Sequence, residues 1–285
     1  MVVFPNAKIN IGLNITSRRS DGYHNIETIM LPIPWRDILE IVPAKGDTTT
    51  LTITGRNVDC PLEKNLVMKA YRAMESAYQL SPVDIYLHKI IPDGAGLGGG
   101  SADAAFTFIA LNELFALNAT KDELSQMAAT IGADCPFFIY NTPTLATGIG
   151  TDFCNINLNL NGYKILVVKP QVSVPTAQAY AGVTPTIPQI SLANLITTPI
   201  DQWQEHIYND FEKSIFTAFP IIKEIKIRLL NQALYMHPCL GQALRYMGFL
   251  KVTNWQKKIY LHLNNVTSLL AIYKNQLKSQ FWQHF

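Results

Sequence analysis

Apolar and polar residues alternate along several short runs of the chain. Ala7 to Ile15 is rich in Ile and Asn with apolar residues at alternating positions, which predicts a strand. Ile38 to Val42 and Thr49 to Ile53 predict strands on the same grounds. Asn65 to Tyr78 switches to helical spacing, with Leu66, Val67, Ala70 and Met74 on one face. Val83 to Ile91 returns to alternation, Val83, Ile85 and Leu87 against Asp84, Tyr86 and His88. A run of glycines follows, and Ser101 to Leu117, rich in Ala, Leu and Phe, predicts a buried helix.

Thr120 with Glu123 three residues on forms a capping box for a further short helix that stops near Gly132. Tyr163 to Val168 is a compact apolar strand, and Pro170, Pro175, Pro185 and Pro188 mark a looser stretch after it. Strands and helices mix without regular βαβ alternation, so the pattern predicts an α+β fold rather than a doubly wound sheet. The shift in composition divides the chain into domains at 1–160 and 161–285.

The chain has 285 residues, 48% of them apolar, enough for a sizeable core. A net charge of +2 points to neither nucleic acid nor an anionic membrane as partner. No run approaches a membrane span of about 20 apolar residues, and the opening MVVFPNAKIN lacks the basic start and apolar run of a secretory signal. Cys60, Cys135, Cys154 and Cys239 fit neither metal-ligand spacing nor a disulfide framework and are expected to be reduced, buried thiols. These features predict a cytoplasmic protein.

The densest chemical signal is Pro92-Asp-Gly94-Ala95-Gly96-Leu97-Gly98-Gly99-Gly100-Ser101, between a predicted strand and a predicted helix. Glycines let backbone N–H groups turn inward without Cβ clashes, and a helix start adds partial positive charge, so the segment predicts a phosphate cradle. Ser101 could cap the helix or bond a phosphate oxygen. A tight turn would need one or two glycines; five within seven residues exceed that. No lysine follows them, which excludes the GxxxxGK[ST] loop. Gly94, Gly96 and Gly99 satisfy GxGxxG, but the acidic residue a dinucleotide fold needs ~20 residues on falls in Lys121-Asp122-Glu123, the first turn of a helix.

The loop resembles the second motif of the GHMP kinases, Pro-x-x-Ala-Gly-Leu-Gly-Gly-Gly-Ser-Ala. Ala7-Lys8-Ile9-Asn10-Ile11, the block Arg18-Arg19-Ser20-Asp21-Gly22-Tyr23-His24, and Gly132-Ala133-Asp134-Cys135-Pro136-Phe137-Phe138 are similar to motifs of the 4-diphosphocytidyl-2-C-methyl-D-erythritol kinase family within that superfamily. The Asp-Gly-Tyr-His block argues against a homoserine or mevalonate kinase. The resemblance implies a two-domain fold, with an N-terminal ATP-binding domain like ribosomal protein S5 domain 2 and a C-terminal ferredoxin-like α/β domain. It also implies transfer of the ATP γ-phosphoryl group to an alcohol of a cytidine diphosphate derivative, with Mg²⁺ accompanying ATP, in a monomer or weak dimer. By the same resemblance Asp134 is the catalytic carboxylate and Lys8 its partner. Tyr23, His24 and Tyr180 would receive the cytosine, and Asn10 a substrate hydroxyl. Asn65, Leu66 and Lys89 would line the adenosine side of the ATP site. No carboxylate pair stands out as a dedicated metal site, so no metal ligand is assigned.

The resemblance stops after the segment Pro220 to Asn231. The family carries a third motif close to Gly-Ala-x-x-Ala-x-Met-Ser-Gly-Ser-Gly-Ser there; this chain reads Ala233-Leu-Tyr-Met-His-Pro-Cys-Leu-Gly-Gln-Ala-Leu-Arg-Tyr-Met-Gly-Phe-Leu-Lys251. Back-translating Gln232 to Lys251 and reading each codon from its third base permits Gly-Ala-Leu-Tyr-Ala-Ser-Met-Ser-Gly-Ser-Gly-Ser-Ala-Leu-Tyr-Gly-Ile-Phe-Lys. Residues 233–285 are therefore read as frame-shifted and the second domain as incomplete. That predicts low order and exposed apolar surface beyond residue 232, and impaired catalysis. A non-catalytic nucleotide-binding remnant is the corresponding alternative.

Overall fold

The computed structural model describes residues 1–93, 96–160, 163–168, 179–180, 182–230, 235–239, 245–251 and 270–274. The chain opens with five strands, β1 (Val2–Val3), β2 (Asn6–Arg18), β3 (His24–Arg36), β4 (Ile38–Pro43) and β5 (Thr50–Gly55). Helix α1 (Leu66–Tyr78), β6 (Val83–Lys89), α2 (Gly99–Leu114), α3 (Lys121–Ala129) and α4 (Cys135–Tyr140) follow. Then come β7 (Thr144–Thr147), β8 (Asp152–Asn155) and β9 (Tyr163–Val168), and helices α5 (Leu192–Leu195), α6 (Trp203–His206), α7 (Glu212–Ala218) and α8 (Pro220–Leu230). The last described elements are β10 (Tyr235–Cys239), β11 (Arg245–Lys251) and β12 (Leu270–Lys274). The fold is α+β, as the pattern predicts.

The described residues form three sheets, in the orders β1-β4-β6-β5, β2-β3-β7-β8 and β10-β11-β9-β12. β2 carries the period-2 logic of a strand covered on both faces: Ile9, Ile11 and Ile15 are buried on one side, Lys8 and Asn10 on the other. The apolar face meets Trp203, Leu192 and Ile207 in one core. Helices α1, α2 and α4 cover the first sheet through Tyr71, Phe108 and Phe137, which pack with Leu39 and Ile85 in a second core. Alanines at 102, 104, 105 and 110 are fully buried in α2, so its backbone lies close to its neighbours. Burial of side chains on this scale, about 1.5–3 kcal/mol for each large apolar group, is what holds the first 160 residues together. The core of β2 and β3 also takes in Leu160, Ile165 and Val167, so segments on either side of residue 160 share it.

Alternation missed β3. Its apolar run Ile29-Met30-Leu31 leads into Pro32 and Pro34, residues that argue against a central strand. The structure accommodates them because β7 pairs with β3 only from Thr28 to Met30; beyond that point β3 is bonded on the β2 side alone. The capping box is present, with the Thr120 hydroxyl accepting from the Glu123 amide and the Glu123 carboxylate accepting from the Thr120 amide. Its helix ends at Ala129, three residues before the expected stop. The expectation of buried thiols holds for Cys135; Cys60 is half-buried and Cys154 exposed, and the Cys239 side chain lies outside the described residues. Of the chain beyond Gln232 three strands are described; residues 233–234, 240–244, 252–269 and 275–285, on which the expected low order also falls, lie outside the described residues, as do Pro170 and Pro175.

Candidate active site

The glycine segment joins β6 to α2. Gly94 and Ala95 lie outside the described residues. Gly96 and Gly98 have φ of 59° and 70°, the left-handed region that favours glycine. At Gly98 a Cβ would also stand 2.7 Å from the Phe138 ring and 3.1 Å from Lys8 Cγ. The loop is thus pressed against β2 and α4, and the Lys8 amide donates to the Leu97 carbonyl at 2.8 Å.

Helix α2 starts at Gly99, two residues earlier than the pattern predicts, so Gly98 and not Ser101 holds the N-cap position. That removes the capping role considered for Ser101, whose hydroxyl meets the Cys135 thiol instead. A glycine cap has no side-chain oxygen to offer the helix start. No described residue accepts a hydrogen bond from the amides of Gly99, Gly100 or Ser101. These donors and the positive end of a 16-residue helix suit an anion. The start of α1 faces the same space: Asn65 caps it by accepting from the Val67 amide at 2.9 Å, and Leu66 follows. A cavity of about 690 Å³ lies between them, bordered by Lys8, Asn65, Leu66, Gly98, Ser101 and Asp134. Pro92, Gly96, Leu97, Gly99 and Gly100 also border it. The loop after β5, Asn57 to Cys60, closes another side. Its polar, non-periodic sequence carried no signal for this role.

Lys8 and Asp134 meet at this cavity. Lys8 is 5% exposed, yet its ammonium lies 3.2 Å from the Asp134 carboxylate and donates to Asn10 at 2.7 Å. Asn10 in turn donates to Thr28, whose hydroxyl donates to the Gly12 carbonyl. This chain fixes the Lys8 rotamer, and Thr28, a partner across β2–β3, was not legible from the sequence. Asp134 precedes α4 and keeps a third of its side-chain surface open. The arrangement can hold an alcohol between a carboxylate and an ammonium beside an anion cradle. The neighbouring Cys135 thiol is pushed up to about 11, mainly by burial, and is inert at neutral pH.

Lys89, expected on the adenosine side of the ATP site, also borders the cavity. Its ammonium is committed to Asp37 at 2.5 Å and Asp103 at 2.7 Å. Sequence reasoning missed both carboxylates, because their approach depends on chain separations of 52 and 14 residues.

His24 and Tyr180 come together at the other end of β2. Their rings stack with centroids 4.9 Å apart and planes at 21°, and Phe211 meets Tyr180 edge-on at 4.9 Å. Tyr23 stands outside the stack, 64% exposed. Asp21 braces this turn: the Tyr23 amide and then the Arg19 guanidinium hold its carboxyl below the usual range. His24 pairs with Arg18, ten residues along β2 from Lys8, a path of at most roughly 33 Å that the register shifts in β2 shorten.

Among the described residues no group of three or more His, Cys, Asp or Glu is placed to hold a metal, and no helix is long and apolar enough to cross a membrane. Residues 65–142 match the family described as GHMP kinases N terminal domain. A 4-diphosphocytidyl-2-C-methyl-D-erythritol kinase from Parabacteroides distasonis is 54% identical over 226 residues, 79% of this chain and 83% of the relative. One from Bacteroides thetaiotaomicron is 44% identical over 268 residues, 91% and 98%. A solved structure of a 4-(cytidine 5'-diphospho)-2C-methyl-D-erythritol kinase superposes with a TM-score of 0.72 at 30% identity, over 88% of this chain and 90% of that one.

Proposed function

The chain belongs to the 4-diphosphocytidyl-2-C-methyl-D-erythritol kinases, and from that premise we propose that it transfers the ATP γ-phosphoryl group to the 2-hydroxyl of 4-diphosphocytidyl-2-C-methyl-D-erythritol, in the non-mevalonate route to isoprenoid precursors. The observation that carries the reading is Lys8 and Asp134, 3.2 Å apart, beside the amides at the start of α2.

Phosphoryl transfer asks for positioning and charge neutralisation more than covalent help. The α2 amides hold the phosphates. Asp134 accepts a hydrogen bond from the 2-hydroxyl and aims its oxygen at phosphorus. Lys8 offsets charge developing on the transferred group, and Asn10 holds Lys8 in place and contacts a substrate hydroxyl. As the oxygen–phosphorus bond forms, the hydroxyl proton passes to the Asp134 carboxylate and on to solvent, the bond from the γ-phosphorus to the bridging oxygen breaks, and ADP leaves with that electron pair. An elongated substrate lies along β2, with its cytosine at His24, Tyr23 and Tyr180 and its alcohol at Lys8. Asn65 and Leu66 face the adenosine. Mg²⁺ arrives with ATP as part of the substrate and supplies charge neutralisation to the phosphates. The carboxylates bordering the cavity, Asp134 among them, are donors it could use. The setting is the cytoplasm, and the protein a monomer or weak dimer.

The same proposal divides the chain at residue 160 and takes the reading beyond about Gln232 as frame-shifted. In the alternative frame Gly-Ser-Gly-Ser falls at residues 240–243, between the antiparallel strands β10 and β11, and Met replaces Pro238. A glycine-serine connection between paired strands is a natural third loop, and its loss impairs turnover here. Resequencing across codon 232 tests the offset; an unambiguous read with no single-base change in relatives sinks it. Phosphorylation by this chain and by its frame-restored version, followed by phosphorus NMR, tests the function. A new 2-phosphate, formed faster by the restored chain, is expected. Preference for homoserine or mevalonate, or no product from either chain, would overturn the assignment.

A further inference from the structure

Asp37, Lys89 and Asp103 form a buried cluster that the mechanism above does not use. Asp37 sits between β3 and β4 and is fully buried. One of its carboxylate oxygens accepts from the Ile90 and Ile91 amides, the first residues of the segment leaving β6. The other accepts from Lys89. Lys89 also donates to Asp103, which lies in α2 four residues past its start. A Cβ on Gly99 would stand 3.3 Å from the Lys89 ammonium. The cation therefore lies directly beneath the first turn of α2, where the phosphate-facing amides are. The second Asp103 oxygen is buried and has no hydrogen-bond partner.

An ammonium in direct service of a phosphate would keep its charge for the ligand. This one is shared between two carboxylates, each 0–3% exposed in its side chain. Every group in the cluster touches one end of the glycine segment: Asp37 its entry, Asp103 its exit, and Lys89 both. We propose that Asp37, Lys89 and Asp103 are positioning residues that tie the two ends of the phosphate loop together, with Lys89 setting the geometry of the α2 amides instead of binding the nucleotide itself. The inference rests on the reading of the adjoining cavity as the ATP site. Loop geometry matters because anion binding by backbone amides depends on their direction, and small misplacements in such sites are costly.

The burial of the cluster supports this role. Burial opposes the Lys89 charge, but Asp103 and Asp37 outweigh it and hold the ammonium above its usual range. Burial pushes Asp103 up to about 8, with Lys89 opposing and Asp37 adding to the rise. Asp37, with three hydrogen bonds, anchors the cluster to the entry of the loop, and Asp103 ties it to the helix.

Removing the Asp103 tie separates the two roles of Lys89 by sign. In Asp103→Ala, Lys89 keeps Asp37 as a partner, so the chain still folds. If the cluster positions the loop, Asp103→Ala weakens binding of the ATP analogue AMP-PNP, measured by calorimetry, about tenfold. If Lys89 is a direct ligand, losing a competing carboxylate leaves binding equal or tighter. Asp103→Asn keeps an oxygen for Lys89 and is expected to restore binding to within about twofold of the parent. The KM for the cytidine diphosphate substrate should stay at the parent value in both, which a general loosening of the fold would not allow. Parent-like or tighter binding by Asp103→Ala, or no rescue by Asp103→Asn, overturns the proposal. The functional reading fails separately: intact AMP-PNP binding with no phosphorylation of the cytidine diphosphate alcohol sinks that reading alone.

Discussion

Lys8 and Lys89 are both buried lysines at the ends of strands' paths to one cavity, and both are paired with aspartate, yet their surroundings differ in kind. Lys8 meets one carboxylate with a third of its surface open; Lys89 meets two that water does not reach. An ion pair with one hydrated partner keeps a charge available to a ligand. A closed triad spends its charges on each other, and its geometry becomes part of the scaffold. The contrast teaches that lysine identity and proximity to a loop do not assign a role; the exposure of the counter-ion does.

The sharpest way to break the comparison is to remove each ammonium in turn. Lys8→Met should lower turnover about 10²–10⁴-fold while leaving the unfolding midpoint in urea nearly unchanged, because water can reach Asp134. Lys89→Met should instead cost about 3–5 kcal/mol of stability, read from the same urea titration, because a buried ion pair loses its cation and both aspartates lose a hydrogen-bond donor. A stable Lys89→Met chain with parent-like urea midpoint would contradict this division.

The far end of β2 sharpens it further. Tyr180→Ala should raise the KM for the cytidine diphosphate substrate about tenfold, the scale of one lost aromatic contact, with the KM for ATP untouched. A shift in both constants would show that Tyr180 acts on the fold and not on the base.

The smallest effect is one of pH. Asp103 has a folded-state value raised to about 8, above that of the unfolded chain. Between the ordinary carboxylate range and about 8 the folded form therefore holds a proton the unfolded form has lost. Stability should fall as pH rises through that window and level off above it. Lys89 and Asp37 are the charged groups facing Asp103, and Asp103→Asn should remove this part of the slope in thermal melts across pH 5–9.

Much of this was written locally. The alternation of β2, the helical spacing of α1 and the Thr120–Glu123 box needed only neighbouring residues, because strand and helix periods are short-range properties. The glycine segment was legible because positive φ and bare amides demand glycine wherever the rest of the chain goes. β3 was not, since its prolines are tolerable only where one side of the strand lacks a partner, and pairing is a long-range fact. Thr28, Asp37 and Asp103 were missed for the same reason, while Lys89 was placed at the nucleotide by family resemblance, which says nothing of the two carboxylates that meet its side chain.

The chain's own text thus made most of the elements legible and marked the glycine segment as a candidate phosphate cradle, since those follow from residue type and spacing; Lys8 and Asp134 became candidates through their resemblance to the family's motifs. Tertiary structure alone decided that Lys8 meets one part-open carboxylate and Lys89 two buried ones, and that His24 stacks on Tyr180. Burial and the arrival of partners from distant segments set the charge state and reach of a side chain, and neither is a property of its neighbours in sequence.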